Sequence, residues 1–307
     1  MIEKTRNPVI LIVGGSGALG GAIARRLLRS GEFVRVMTRN PARAAGLSAA
    51  GAEVVQGDLL DRESLVRACK GAWHVIAAAH SMLGRGRTAS VHVDGRGHRD
   101  LIDVAAAAGV SRFMYTSVYD YGPAYRDVPF FRIKFEVEEH LKSSGLNYTI
   151  LRPTAFMETH AHEIIGASIL NSGRAVLFGR GEQPRNFVAA DDVAQIAVLA
   201  LGDPTFSGQT VDIGGEENLT DMDVVRLYER LGGRKATVFR VPIGVLRAAA
   251  ALIRPVHPGV SQVMSSGVLA ATVDQRFDAR PLLQRFPIKL KRLEEWVTQR
   301  VGHVAST

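Results

Sequence analysis

Residues 9–20 read Val-Ile-Leu-Ile-Val-Gly-Gly-Ser-Gly-Ala-Leu-Gly, and no other stretch limits the fold as tightly. Val9 to Val13 is a short apolar run rich in β-branched residues, which suits a strand buried on both faces of a parallel sheet. Gly14, Gly17 and Gly20 follow, with an extra glycine at Gly15. From Ala18 onward, Leu19, Ala22, Ile23, Leu27 and Leu28 recur at helical spacing until Ser30-Gly31 stops the run. The glycines therefore lie between a strand and a helix, the setting in which such a motif cradles a pyrophosphate. One glycine makes the tight turn, one admits the phosphates to the backbone, and one lets helix and strand pack closely. The helix N-terminus adds free N–H groups and partial positive charge. The same residues also permit a plain glycine-rich turn with no ligand.

Strand and helix then alternate. Apolar runs at Phe33–Thr38, Glu53–Gln56, Trp73–Ala79, Arg112–Thr116 and Tyr148–Leu151 predict strands. Helices are expected from Pro41 to about Gly46, after Asp61 to about Lys70 with Asp61 as cap, from about Val93 to Ala108, and from Pro129 to Ser143. This rhythm predicts an α/β fold built on a doubly wound parallel (Rossmann) sheet over residues 1–153. After Pro153 the rhythm loosens, and residues 154–307 read mainly as a smaller C-terminal substrate lobe. Within it a helix is expected in Thr154–Gly173, short strands at Ala175–Phe178 and Asn186–Val188, and a helix capped by Asp191 or Asp192. Thr210–Ile213 is a further strand, so residues 186–215 are expected to return in part to the main sheet.

Composition narrows the class. The chain has 307 residues, 46% hydrophobic and 22% charged, as in a globular protein. No apolar stretch is long enough to span a membrane, and the polar lead-in Met1–Pro8 does not read as a signal peptide. The single cysteine, Cys69, fits a reducing cytoplasm. The net charge of +8 is scattered rather than gathered into a basic run with aromatics, so no nucleic-acid partner is expected. His160 and His162 are two apart and do not share a helix face, and no metal is expected.

Cofactor choice falls at the end of the second strand, where an acid would hold the ribose hydroxyl of NAD and an arginine the ribose phosphate of NADP. The chain there has Thr38-Arg39-Asn40, with no carboxylate and with Arg43 a turn further on. A guanidinium fork suits a phosphate, so NADP(H) is the expected cofactor; an exposed surface arginine is the other reading of Arg39. Asp58, after the third strand, can accept from an adenine amino group or serve as a turn aspartate.

Several motifs carry a family resemblance: Gly14-x-x-Gly17-x-x-Gly20, Arg39, Gly57-Asp58-Leu59, Arg112-Phe113-x-Tyr115-Thr116-Ser117 and Asn147-Tyr148-Thr149-Ile150-Leu151-Arg152-Pro153. Asn186-Phe187-Val188, Asp191-Asp192-Val193-Ala194 and Thr210–Gly215 extend it into the second half. The chain resembles atypical short-chain dehydrogenase/reductases, of the NmrA-like and isoflavone-reductase-like NAD(P)H-binding kind. Tyr125-Arg126-Asp127-Val128-Pro129 and Ile133-Lys134 also look like a photosystem-assembly subgroup of that branch. The resemblance implies a cofactor set of Gly14, Gly15, Ser16, Gly17, Ala18, Leu19, Gly20, Arg39, Asp58, Leu59, Ala78, Ala79, Lys134 and Pro153.

The same family implies a catalytic Tyr-x-x-x-Lys, in which tyrosine moves a proton and lysine lowers its pKa and holds the ribose. This chain keeps Lys134 but has Phe130 four residues before it, and a phenyl ring transfers no proton. The proton role then passes to Lys134, to a hydroxyl of Ser117, Tyr119 or Tyr121, or to a substrate that needs little acid help. His80, just after the fourth strand, is a further acid or a packing residue. Two functions follow: an NADPH-dependent oxidoreductase acting on a small quinone, enone or carbonyl compound, or a non-catalytic NADPH-binding sensor, regulator or assembly factor with a protein partner.

Overall fold

The apolar runs form strands in the computed structural model, which describes residues 8–304. The N-terminal lead-in, apart from Pro8, lies outside the described residues. In chain order the first elements are β1 (Val9–Val13), α1 (Ala18–Arg29), β2 (Phe33–Thr38), α2 (Ala45–Ala49), β3 (Glu53–Gln56), α3 (Arg62–Cys69) and β4 (Ala72–Ala77). Then come α4 (His98–Ala107), β5 (Arg112–Thr116), α5 (Pro123–Arg126), α6 (Pro129–Ser143) and β6 (Tyr148–Pro153). Three helices are less regular than their sequences suggest: the one expected within Thr154–Gly173 opens as a π-helical stretch, Met157–Gly166, before an α-helical end over Ala167–Ser172. The helix expected from Pro41 begins as a 3₁₀ turn, Pro41–Ala44. The helix expected over Val93–Ala108 opens as a π-helical stretch, Val91–Gly97, before becoming α4.

The remaining elements are β7 (Ala155–Phe156), α7 (Ala167–Ser172), β8 (Arg174–Phe178), β9 (Pro184–Val188), α8 (Ala190–Gly202), β10 (Gln209–Ile213), β11 (Asn218–Thr220) and α9 (Asp221–Leu231). They are followed by β12 (Thr237–Val241), α10 (Ile243–Ile253), α11 (Pro258–Thr272), α12 (Arg280–Arg285) and α13 (Leu293–Val304).

Among the described residues a seven-stranded sheet runs β10-β6-β5-β4-β1-β2-β3. Its pairs from β3 across to β6 are parallel. The strand order reverses between β1 and β4, the point at which open α/β sheets bind ligands beyond their strand ends. The protein thus has the doubly wound Rossmann architecture. Leu11, Val75, Phe113 and Ile150 lie fully buried in its core beside Leu65 of α3 and Leu101 of α4.

Two compact units share the chain: Met1–Ser117, Arg132–Arg152 and Ala194–Val211 form one, and Val118–Phe131, Pro153–Val193 and Asp212–Thr307 the other. The second unit has its own core, in which Phe187, Tyr228 and Val297 are fully buried. Asp61 caps α3 as expected, accepting from the Glu63 N–H at 3.1 Å. The cap expected of Asp191 or Asp192 is not found. The helix begins at Ala190, whose N–H is accepted by the Glu158 carboxylate at 3.1 Å. Asp191 and Asp192 instead hold Lys291, through its side chain and its backbone N–H, at 2.6 and 2.8 Å.

Candidate functional site

The first turn shows which glycines the protein itself requires. A Cβ on Gly14 would lie 2.6 Å from the Ala79 nitrogen, on Gly15 2.6 Å from a Val36 methyl, and on Gly20 2.4 Å from the Gly14 carbonyl oxygen. Gly14 also has φ +89°, a conformation that only glycine adopts readily. Gly17 is different: it is exposed, its φ is −86°, and a Cβ there would meet only the Gly14 oxygen, at 3.3 Å. The backbone does not require glycine at this position and packing asks for it only weakly, through that one tight contact, whereas close approach of a pyrophosphate does require it. It stands as N-cap of α1, whose first turn holds no acidic side chain. A dinucleotide's phosphates therefore fit this turn.

The turn is tied to its neighbours on both sides. The Ser16 and Thr38 hydroxyls lie 3.1 Å apart, which fixes the end of β2, and hence the exposed Arg39, beside the turn. On the other side the Ala78 N–H donates to the Val13 carbonyl at 2.9 Å, so half-buried Ala78 and Ala79 extend β4 along the turn. Ala18 is exposed and Leu19 is buried beneath the turn. Asp58 uses one carboxylate oxygen to accept from the Leu60 N–H at 3.0 Å, the geometry of a turn aspartate. Leu59 is buried where Gly97 packs against it, a site at which a Cβ would come within 2.8 Å.

The other candidates lie at the C-terminal end of β5. Lys134, 3% exposed, projects from α6 and donates from Nζ to the Thr116 carbonyl at 3.1 Å. The Nζ also stands 5.0 Å from the centre of the Tyr115 ring and 3.6 Å from Oδ1 of Asp94, which is fully buried. Burial lowers the lysine's proton affinity, and the Asp94 and Glu138 charges oppose that drop. Burial likewise raises the Asp94 carboxyl, opposed chiefly by Lys134. Ser117 is buried, with a side-chain oxygen that has no hydrogen-bond partner among the described residues. Asp94 gave no signal in the sequence: an acid inside an apolar-periodic helix reads as a surface residue.

In the second unit, Tyr119 donates its backbone N–H to the Pro153 carbonyl at 3.0 Å. Its ring meets Tyr121 and Phe277 edge-on, with centres 4.6 and 5.3 Å apart. Tyr121 leads on to Tyr125, and Tyr125 stacks on Phe131 at 4.7 Å. Burial pushes the Tyr119 and Tyr121 phenols up, so both stay protonated at neutral pH. Phe130 is buried one turn before Lys134 on α6. His160 and His162 both have protein partners: His162 Nδ1 lies 2.9 Å from the Tyr228 hydroxyl, and His160 Nδ1 3.3 Å from the Phe156 carbonyl.

Several motif residues prove to be structural. Arg112 donates from one guanidinium nitrogen to the carbonyls of Ala200, Leu201 and Asp203 at 2.8, 3.2 and 2.9 Å, closing the C-terminus of α8. Arg152 pairs with fully buried Glu138, Nε to Oε1 at 2.9 Å, and anchors α6 one turn beyond Lys134. Asn186 exchanges two hydrogen bonds with Gly215, at 2.8 and 2.9 Å, and accepts from Thr154 at 2.9 Å.

A glycine-rich turn at the switch point of a doubly wound sheet, with a buried lysine on the helix after β5, is the layout of an NAD(P)-binding fold of the atypical short-chain dehydrogenase/reductase class. The chain belongs to the NmrA-like family, which it matches over residues 6–296. It is 33% identical to the photosystem II assembly factor Ycf39 of Cyanophora paradoxa, over 78% of this chain and 74% of that one. It is 29% identical to the (4-alkanoyl-5-oxo-2,5-dihydrofuran-3-yl)methyl phosphate reductase of Streptomyces griseus, over 83% and 84%. The fold is shared with the NADPH complex of the Escherichia coli quinone oxidoreductase QOR2, at a TM-score of 0.76, 23% identity and coverage of 96% and 99%. No helix among the described residues is long and apolar enough to cross a membrane.

Proposed function

We propose that this protein is an NADPH-dependent reductase of a small conjugated carbonyl compound, a quinone or an enone, working without the family's tyrosine. The observation that carries the reading is Lys134: an ammonium sunk into the core beside a carboxylate, at the strand end where the resemblance puts the chemistry. Buried charges are costly and cluster at functional sites. In this reading Gly14, Gly15, Ser16, Gly17 and the first turn of α1 hold the pyrophosphate, Arg39 grips the ribose phosphate, and Asp58 faces the adenine. Ala78, Ala79, Lys134 and Pro153 border the nicotinamide half. When bound, the dinucleotide supplies hydride, a step that needs positioning and not an acid. This chain's own residues then handle the proton: Lys134 carries one at Nζ, and Ser117 and Tyr119 offer hydroxyls. Phe130 offers none. The single thiol, buried at Cys69 and raised to about 11 by that burial, is compatible with the cytoplasm.

A second reading, an NADPH-binding assembly factor or regulator with a protein partner, is favoured by Phe130 and by the Ycf39 relative. One experiment separates the two. NADPH oxidation is followed with a panel of quinones, enones and ketones, for the native protein and for Lys134→Met and Phe130→Tyr. A reductase turns over at least one class, and Lys134→Met loses turnover by more than it loses NADPH affinity. Binding of NADPH with no turnover by the native protein or by Phe130→Tyr favours the second reading.

A further inference from the structure

The π-helical stretch Val91–Gly97 lies against α6, and glycine makes that approach possible: a Cβ on Gly95 would already touch Ile133 at 3.4 Å. This wider turn, a feature frequent at functional sites, buries Val93, Asp94 and Gly95 together. Asp94 is held from behind. Its Oδ2 accepts from the Ser81 N–H at 2.9 Å, while Oδ1 faces Lys134 Nζ at 3.6 Å and has no hydrogen-bond partner among the described residues. His98 Nε2 and the hydroxyls of Tyr115, Thr116 and Ser117 are also buried with no hydrogen-bond partner among the described residues. Native cores pair nearly all such atoms, so their gathering here marks a polar site and not ordinary packing.

We infer that Asp94 is the positioning residue of Lys134: its carboxylate, fixed by the Ser81 N–H, keeps the lysine ammonium charged and directed to the end of β5. This rests on the reductase reading above. The lysine does not stand alone with Asp94. His80, after β4, is within electrostatic reach of both charges, and His98 of α4 faces the lysine. Tyr115 comes from β5, and Glu138 from the next turn of α6, where Arg152 neutralises it. Neither histidine supplies positive charge at neutral pH: burial holds His98 down to about 3, and at His80, whose side chain reaches the surface, desolvation and the Lys134 charge lower the ring below its ordinary value. Glu138 is committed to Arg152. Asp94 is thus the carboxylate left to balance the lysine.

The test is Asp94→Asn, near-isosteric and uncharged, with Asp94→Glu as the charge-restoring variant. The Lys134 side chain is followed by its ¹³Cε resonance across pH in selectively labelled protein. In Asp94→Asn the titration midpoint falls by at least one pH unit, a tenfold loss of proton affinity, and Asp94→Glu restores most of it. The kcat–pH profile moves in the same direction by the same amount, while the KM for NADPH changes much less. A Lys134 titration unmoved in Asp94→Asn overturns the inference even if turnover is normal. A shifted titration in a protein that reduces nothing leaves Asp94 in its role and defeats the reductase reading instead. Should Asp94→Asn fail to fold, the native protein decides: the Asp94 ¹³Cγ signal must respond at the Lys134 midpoint, and an independent response overturns the pairing.

Discussion

A methyl group added at Gly17 and one added at Gly20 probe different things. At Gly20 the new carbon lands 2.4 Å from a backbone oxygen, so Gly20→Ala must displace the turn and cost roughly 1–3 kcal/mol of stability. At Gly17 the nearest atom is 3.3 Å away and the backbone is unstrained, so Gly17→Ala should change stability by less than about 1 kcal/mol. Its loss should appear in NADPH affinity, by tenfold or more. Urea unfolding and fluorescence titration of both variants check the pair; equal damage to stability would remove the ligand argument for Gly17. Arg39 gives the second prediction at this scale. Contact with a phosphate is worth roughly 1.5–3 kcal/mol, so Arg39→Ala should weaken NADPH binding about ten- to a hundredfold and leave NADH nearly unchanged. Calorimetric titration with both nucleotides decides it. Glycine spacing and Arg39 are legible in sequence because each acts through its own backbone or charge. Asp94 is not, because its meaning depends on a lysine forty residues later, brought beside it only by packing.

Among the elements, the π-helical stretch and α4 depart most from the sequence reading. Periodicity of 3.6 predicts one continuous helix from Val93, and a wider opening turn breaks no hydrophobic pattern, so nothing marks it in advance. The altered phase buries His98 completely, with Nδ1 at 3.1 Å from the Val93 carbonyl and its ring edge-on to Tyr115. Burial and the nearby Lys134 charge push its pKa down to about 3, well below the ordinary 6.5. Below pH 6.5 the unfolded chain gains a proton that the folded one refuses, so stability falls with pH from there toward 3. The slope from one such group is about 1.4 kcal/mol per pH unit. His74, lowered to about 4 by burial and Arg112, adds loss of the same sign. Urea midpoints at pH 7.5 and 5.0 test this, and His98→Phe should flatten the dependence. The six strands β1 to β6 of the main sheet, by contrast, were legible to within about two residues, since parallel buried strands advertise themselves as short apolar runs, whereas the short β7, β11 and β12 were not read at all.

At the scale of the molecule, the sequence reading drew a boundary where the strand–helix rhythm loosens, at Pro153. Rhythm records the order of elements and not which strands pair. The sequence reading also took residues 186–215 to return in part to the main sheet, and helix α8 and the edge strand β10 lie within them. A fragment ending at Pro153 should therefore fail: β6 becomes an exposed edge, and buried Arg112 loses all three carbonyl acceptors. The expected result is an aggregating fragment without NADPH affinity, whereas one ending at Ile213 recovers more of the soluble material. Sedimentation and cofactor titration compare the two.

The guanidinium of Arg112, clasping carbonyls nearly ninety residues downstream, has a consequence for synthesis. A ribosome works from the N-terminus, so six strands emerge before the piece that closes the sheet has been made. At roughly 5–20 residues per second, the stretch from Pro153 to Ile213 takes about 3–12 s. Through that interval the nascent sheet carries an open apolar edge beside an unpaired buried cation. Chaperone binding during translation should peak in that window and fall away once β10 has cleared the exit tunnel.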